Sequence, residues 1–252
     1  MMNDLPLQAT AFLILFCRVG AVLMLLPVFS EEAIPGRIRL LMAFAMSLAL
    51  WGLLGPRTVP AAGADALLST LLIELGIGLA LGTMVKFMFS AITMAGSVIS
   101  LQIGLSAALL FDPSLGGQTP VLAKLMAVAG ALFCLALGLH HLWIGAIVRS
   151  YAVFPVGTLP VLGDLAALGL ATLSKATVLA ISLAGPFIVY GIVFNVALGF
   201  SARLAPALQV FFIAQPLNIL LGIALFATTV GTILAAFATS FTDWMQSGWS
   251  LP

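Results

Sequence analysis

A handful of side chains could do chemistry in this otherwise apolar chain. Arg18 lies in the middle of an apolar run. An Arg at the centre of a membrane helix costs about 2.5–3.5 kcal/mol on insertion scales. It needs an acidic partner or a wet cavity, or it must snorkel from a tilted helix to the interface. Glu74, the acidic residue deep in another apolar run, is the first candidate partner. Lys86 follows it by twelve residues, too far for the two to pair within one helix. His140 and His141 are adjacent. Neighbouring helix positions point in different directions, so these two do not chelate as an i and i+4 pair would; they read as interfacial residues. The two cysteines, Cys17 and Cys134, sit inside apolar runs. A redox pair or a metal thiolate is one reading, but no second Cys or His stands at ligand spacing, and packing is the simpler one. No P-loop, HExxH, GxSxG or paired-carboxylate motif occurs. We therefore expect no catalytic residue, no cofactor and no metal site.

Two regular stripes and one loop complete the inventory. Ser90, Thr93, Ser97, Ser100 and Gly104 recur at steps of three and four, as do Asn218, Gly222, Leu225, Thr229, Thr232, Ala236 and Thr239. Such spacing puts each set on one helix face. A stripe of this kind is a helix-packing seam, where small residues let backbones approach, or a water-facing pathway. The stretch 102–120 runs from a lone Gln102 through Asp112-Pro113 to Gly116-Gly117. Its composition is that of a surface turn, or of a mobile loop that lines or occludes something.

The elements that must carry these residues follow from composition. Nine Lys or Arg and eight Asp or Glu in 252 residues leave 7 % charged, against 63 % apolar and a net charge of +1; mean hydropathy is +1.26. Soluble domains run at about 25 % charged. A soluble enzyme, a disordered chain and a nucleic-acid binder, which needs a basic face, are excluded. The expected fold is all-α: a polytopic membrane protein surrounded by lipid. The first 17 residues hold no Lys or Arg, so a cleavable signal peptide is not expected.

Proline punctuates the chain. Five pairs (Pro27 and Pro35, Pro56 and Pro60, Pro113 and Pro120, Pro155 and Pro160, Pro206 and Pro216) predict helix breaks. They separate about six apolar segments, 7–26, 36–55, 61–112, 121–154, 161–205 and 217–245, within a single membrane domain, 1–252. The first, second and fourth suit single passes. A 45-residue helix would be roughly 68 Å long, against a hydrocarbon core of about 30 Å. The third and fifth segments must then fold back as hairpins or project beyond the bilayer. A bend near Gly76, Gly78 and Gly82 and a kink at Pro186 are expected. Basic residues flanking the segments place the N-terminus outside the cytoplasm.

Three blocks in order resemble the family of the flagellar biosynthesis protein FliR and its injectisome counterparts. The first is Phe16-Cys17-Arg18 through Pro27, then Pro35-Gly36-Arg37-Ile38-Arg39. The second is Gln102-Ile103-Gly104, then Asp112-Pro113. The third is Phe194 through Arg203 and Pro206 to Phe211, then Gln215-Pro216 and Gly222. Ala207-Leu208-Gln209 departs from the more polar stretch expected there. Arg18, Pro27, Pro35, Arg37, Arg39, Gln102, Gly104, Arg203, Pro206, Pro216 and Gly222 are thus family-motif positions. The resemblance implies a core subunit of the type III protein export gate, one copy closing a helical ring in a hetero-oligomeric assembly. It implies FliP-like and FliQ-like membrane subunits and FlhB/FlhA-like export components as partners, with unfolded exported proteins as cargo. The implied location is the bacterial inner membrane at a flagellar basal body or injectisome, extending toward the periplasm. The loop after the Gln-x-Gly element is implied to plug the closed pore; here Leu109, Leu110, Phe111, Asp112, Pro113, Gly116 and Gly117 are the candidates. A small-molecule secondary transporter would predict inverted repeats and intramembrane ion ligands, and a polytopic enzyme would need clustered His, Asp or Glu. Neither pattern is evident.

Overall fold

The computed structural model describes residues 5–27, 29, 34–62, 67–105, 120–204 and 210–247, and among these there is no strand. Among the described residues seven helices occur in order: α1 (Leu5–Leu25), α2 (Gly36–Ala62), α3 (Leu67–Gln102), α4 (Val121–Ala136), α5 (His140–Val153), α6 (Leu162–Leu204) and α7 (Val210–Ser247). Five are long and apolar enough to cross a membrane, or six crossings are possible if α4 and α5 together make one broken span. Helices are the expected form because lipid leaves no water to satisfy exposed backbone groups. The all-α membrane class is therefore as the composition predicts.

The proline rule works unevenly. Pro27 follows α1 at a turn, and Pro35 precedes α2, its carbonyl accepting from Ile38 N at 2.9 Å. Pro56 and Pro60, expected as breaks, instead lie within α2. There Thr58 Oγ1 donates to the Gly55 carbonyl at 3.0 Å; in membrane helices neighbouring structure can satisfy the groups that proline frees. Pro186 and Pro216 also lie inside helices, α6 and α7. Of the two outcomes expected for the third and fifth segments, a hairpin or a long helix, the described residues show the long helix. α3 is continuous over 36 residues and α6 over 43, the latter about 65 Å of helix at 1.5 Å per residue. The fourth segment, expected as one pass, is broken instead. Gly138 takes φ +72°, a left-handed conformation open to glycine at little cost, and its carbonyl accepts from His141 N at 3.1 Å.

The chain divides into two compact units. Unit 1 comprises Met1–Phe89, Gly138–Leu173 and Asp243–Pro252; unit 2 comprises Ser90–Leu137 and Ser174–Thr242. In unit 1 the core holds Ile14, Leu15, Val22, Ile77, Leu81 and Trp143. Phe12 meets Phe44 and Trp51 edge-on, with ring centroids 5.3 and 5.8 Å apart, and so joins α1 to α2. Two of the three glycines near which a bend was expected, Gly78 and Gly82, serve packing instead. A Cβ on Gly78 would lie 2.6 Å from the Arg18 carbonyl oxygen, and one on Gly82 would lie 2.8 Å from Leu25 Cβ. Gly78-x-x-x-Gly82 is thus a close helix crossing of α3 on α1.

In unit 2 the core holds Ile92, Ala95, Ile99, Met126, Phe187, Phe226 and Phe237. Gly96 and Gly130 bring α3 and α4 together in opposite directions. A Cβ on Gly96 would meet Ala123 Cα at 2.7 Å, and one on Gly130 would meet Ile92 at 3.4 Å. Both units leave apolar surface outward, for example Leu41 and Leu53 in unit 1, and Val189, Val193, Phe200 and Leu220 in unit 2. That surface suits lipid or neighbouring helices.

Candidate functional site

Two polar constellations stand out, one in each unit. The first is built on the α1–α3 crossing. Glu74, Gly78 and Gly82 are spaced by four and share one face of α3; the glycines let α1 come close, and Glu74, one turn earlier, meets Arg18. Both side chains are fully buried. Arg18 Nε donates to Glu74 Oε2 at 2.6 Å, Nη2 to Oε1 at 2.9 Å, and Nη1 to the Phe154 carbonyl at 3.0 Å. The guanidinium carbon sits 4.0 Å from the Tyr151 ring centroid, within cation–π range. Gly157 N donates to Glu74 Oε1 at 3.1 Å, and Gly157 has φ +76°. The fork-to-fork pair is the geometry in which a buried charge is best compensated. It ties α1, α3, the end of α5 and the turn after it. The acidic partner expected for Arg18 is therefore present, and snorkelling is not how Arg18 is accommodated.

The second constellation is neutral. Gln102, Ile103 and Gly104 end α3 and are held by α6 and α7. Gly104 has φ +81°, and the space a Cβ would take there is filled by the Gln215 and Asn218 side-chain amides. Gln215 Nε2 donates to the Gly104 carbonyl at 3.3 Å. The Gln102 side chain lies against Gly191, where a Cβ would collide with its amide oxygen. Ile103, fully buried, lies where a Cβ on Gly222 would come within 2.5 Å. Tyr190 Oη donates toward the Asn218 side-chain oxygen at 2.8 Å and its carbonyl at 3.0 Å. The Gln-x-Gly element thus enters a clamp made by two glycines, two amides and a tyrosine. Asn218 and Gly222 were legible as one stripe; the spacing gave no sign that their partner is the end of α3.

The remaining expected positions are scattered. Arg39 Nε donates to the Ile34 carbonyl at 2.9 Å, while Arg37, Arg203 and Pro216 are exposed. Pro27 is buried at its turn. Ser100 is buried, and Ser90, Thr93 and Ser97 are half-buried. Thr93 and Ser97 donate back into their own helix, to Ser90 O at 2.7 Å and Thr93 O at 3.1 Å. The second stripe emerges from the core: Asn218 and Gly222 are buried, Thr232 and Thr239 exposed. The His140 and His141 rings stack at 4.1 Å. The plug candidates Leu109, Leu110, Phe111, Asp112, Pro113, Gly116 and Gly117, and the motif residue Pro206, lie outside the described residues. Cys17 and Cys134 are free thiols. Among the described residues no three His, Cys, Asp or Glu side chains group as a metal site.

Comparison with known proteins agrees over nearly the whole length. The family described as bacterial export proteins, family 1, matches residues 9–244. The chain is similar to the flagellar biosynthetic protein FliR of Caulobacter vibrioides, at 36 % identity over 241 residues, covering 93 % of this chain and 96 % of that one. Against the FliR of Escherichia coli identity is 35 % over 218 residues, 86 % of this chain and 82 % of the relative. Against that of Bacillus subtilis it is 27 % over 244 residues, 95 % and 93 % respectively.

Proposed function

The chain belongs to family 1 of the bacterial export proteins, the family of the flagellar biosynthetic proteins FliR, and on that premise we propose that it is a core subunit of the type III export gate. It is a membrane protein of an export family rather than of a family of enzymes. In our reading it helps to line and to close the channel through which unfolded flagellar or injectisome proteins leave the cell. FliP-like and FliQ-like subunits are its neighbours, FlhB/FlhA-like components its cytoplasmic contacts. The assembly sits in the inner membrane at the basal body or injectisome and extends toward the periplasm.

The observation that best supports this is the clamp on Gln102–Gly104. Three helices spend glycines, amides and a tyrosine on fixing the point at which the chain leaves α3 for the candidate plug, residues 109–120. A segment that closes a channel needs a fixed anchor, and a packing subunit without a pore does not. The helices agree in kind. α6 and α7, at 43 and 38 residues, exceed the roughly 20 that span a bilayer. Their outward apolar residues suit neighbouring subunits. The reading is tested by deleting residues 114–119 in cells. We expect ion leakage to rise while the complex still assembles; unchanged leakage with an intact complex rejects the plug.

A further inference from the structure

Unit 1 carries an apolar groove that none of the roles above uses. It lies between α3 from Leu72 to Phe87 and the stretch from Leu159 to Leu173, which enters α6, and holds about 700 Å³. Its lining is aliphatic or aromatic except for the Thr83 hydroxyl and the glycines, and Thr83 Oγ1 already donates to the Leu79 carbonyl at 2.7 Å. Leu72 to Phe87 is about 22 Å of helix. A slot of that length and volume is on the scale of one alkyl chain.

The groove also has electrical polarity. Lys86, exposed and without a hydrogen-bond or ion-pair partner among the described residues, flanks the end at Thr83 and Phe87. The opposite end, where Leu159 and Leu165 line the groove, carries the exposed carboxylate of Asp164. A cation beside an apolar slot, with an anion at the far end, selects an anionic headgroup and sets the direction of its chain. We propose that this groove is a binding site for an anionic phospholipid, its phosphate on Lys86 and one acyl chain running along α3 toward Leu72.

Two glycines in the lining make the site testable without distorting the fold. A Cβ on Gly76 or on Gly169 would meet nothing within 4 Å, so leucine at either position fills the groove and favours the helix. The full chain, reconstituted in phosphatidylcholine vesicles, is exposed to a photoactivatable phosphatidylglycerol or to the matching phosphatidylcholine probe, and adducts are mapped by peptide mass spectrometry. We expect adducts on the groove residues, with phosphatidylglycerol preferred about fivefold, the factor one basic residue supplies near an anionic headgroup. Lys86→Gln should bring the two lipids to parity. Gly76→Leu with Gly169→Leu should abolish groove adducts for both, with helix content unchanged. Equal labelling by both lipids in the parent chain overturns the proposal, as does a preference that survives Lys86→Gln. Groove adducts that persist in the filled variant also overturn it.

Discussion

The two polar constellations solve the same problem, fixing a helix junction in an apolar protein, by opposite means. In unit 1 the device is electrostatic: one guanidinium meets one carboxylate, a backbone carbonyl and an aromatic face, and every group is fully or nearly fully buried. In unit 2 it is steric: glycines at 104, 191 and 222 make room for neutral amides and for Ile103. A buried charge tolerates no half measure, because losing one partner strands the other. A neutral clamp can loosen by degrees, each contact being worth little. The first design holds a junction through a buried charge pair; the second seats the end of α3 without one.

The largest effect should come from breaking the ion pair on one side. Arg18→Met or Glu74→Leu alone should destabilise the chain by about 3–5 kcal/mol, read as lost folded yield and a lower midpoint in thermal unfolding in detergent. The double substitution should recover most of that loss, and a double no better than the worse single contradicts the account. Next is the steric anchor of unit 2. Gly104→Ala must accept a left-handed backbone, costing about 1–2 kcal/mol, and must displace the Gln215 amide. Protease protection near residue 104 should fall in this variant while unit 1 stays protected; uniform loss across both units would deny the clamp its local character. The smallest effect is expected from Tyr190→Phe, which removes one hydroxyl and keeps the ring. An interhelical bond of this kind averages about 0.6 kcal/mol, so thermal unfolding should barely move. A loss rivalling that of Glu74→Leu would mean that Tyr190, and not the glycines, holds the clamp.

How far each region was legible in the sequence follows the same contrast. Arg18 announced its partner because a charge in an apolar run is costly, and Glu74 was the acidic residue deep in another run. The Gly78 and Gly82 pair was visible too, but glycine in a long apolar segment signals a bend and a close crossing alike, and only the position of α1 decides between them. The clamp was half legible. Asn218 and Gly222 fell on one stripe, while Gln102 on α3 and the Tyr190-Gly191 pair on α6 lie far from it and from each other in sequence, and no spacing rule relates them. Proline misled in α2 and at Pro216 of α7, since in an apolar helix neighbouring structure can satisfy the groups a missing donor frees; Pro186 lies within α6, inside the segment expected to hold it. Proline marked true ends at Pro27 and Pro35. The break at Gly138 went unseen because the segment 121–154 has the length of a single pass, although the polar His140-His141 pair stands just after the glycine.

The central proposal is that this chain is one subunit among unlike membrane partners. The most direct measurement is native mass spectrometry of the affinity-tagged full chain, purified after expression from its own locus. We predict a complex with one copy of this chain and several copies of other small apolar membrane subunits. A chain that emerges alone, or only as a homo-oligomer, contradicts it.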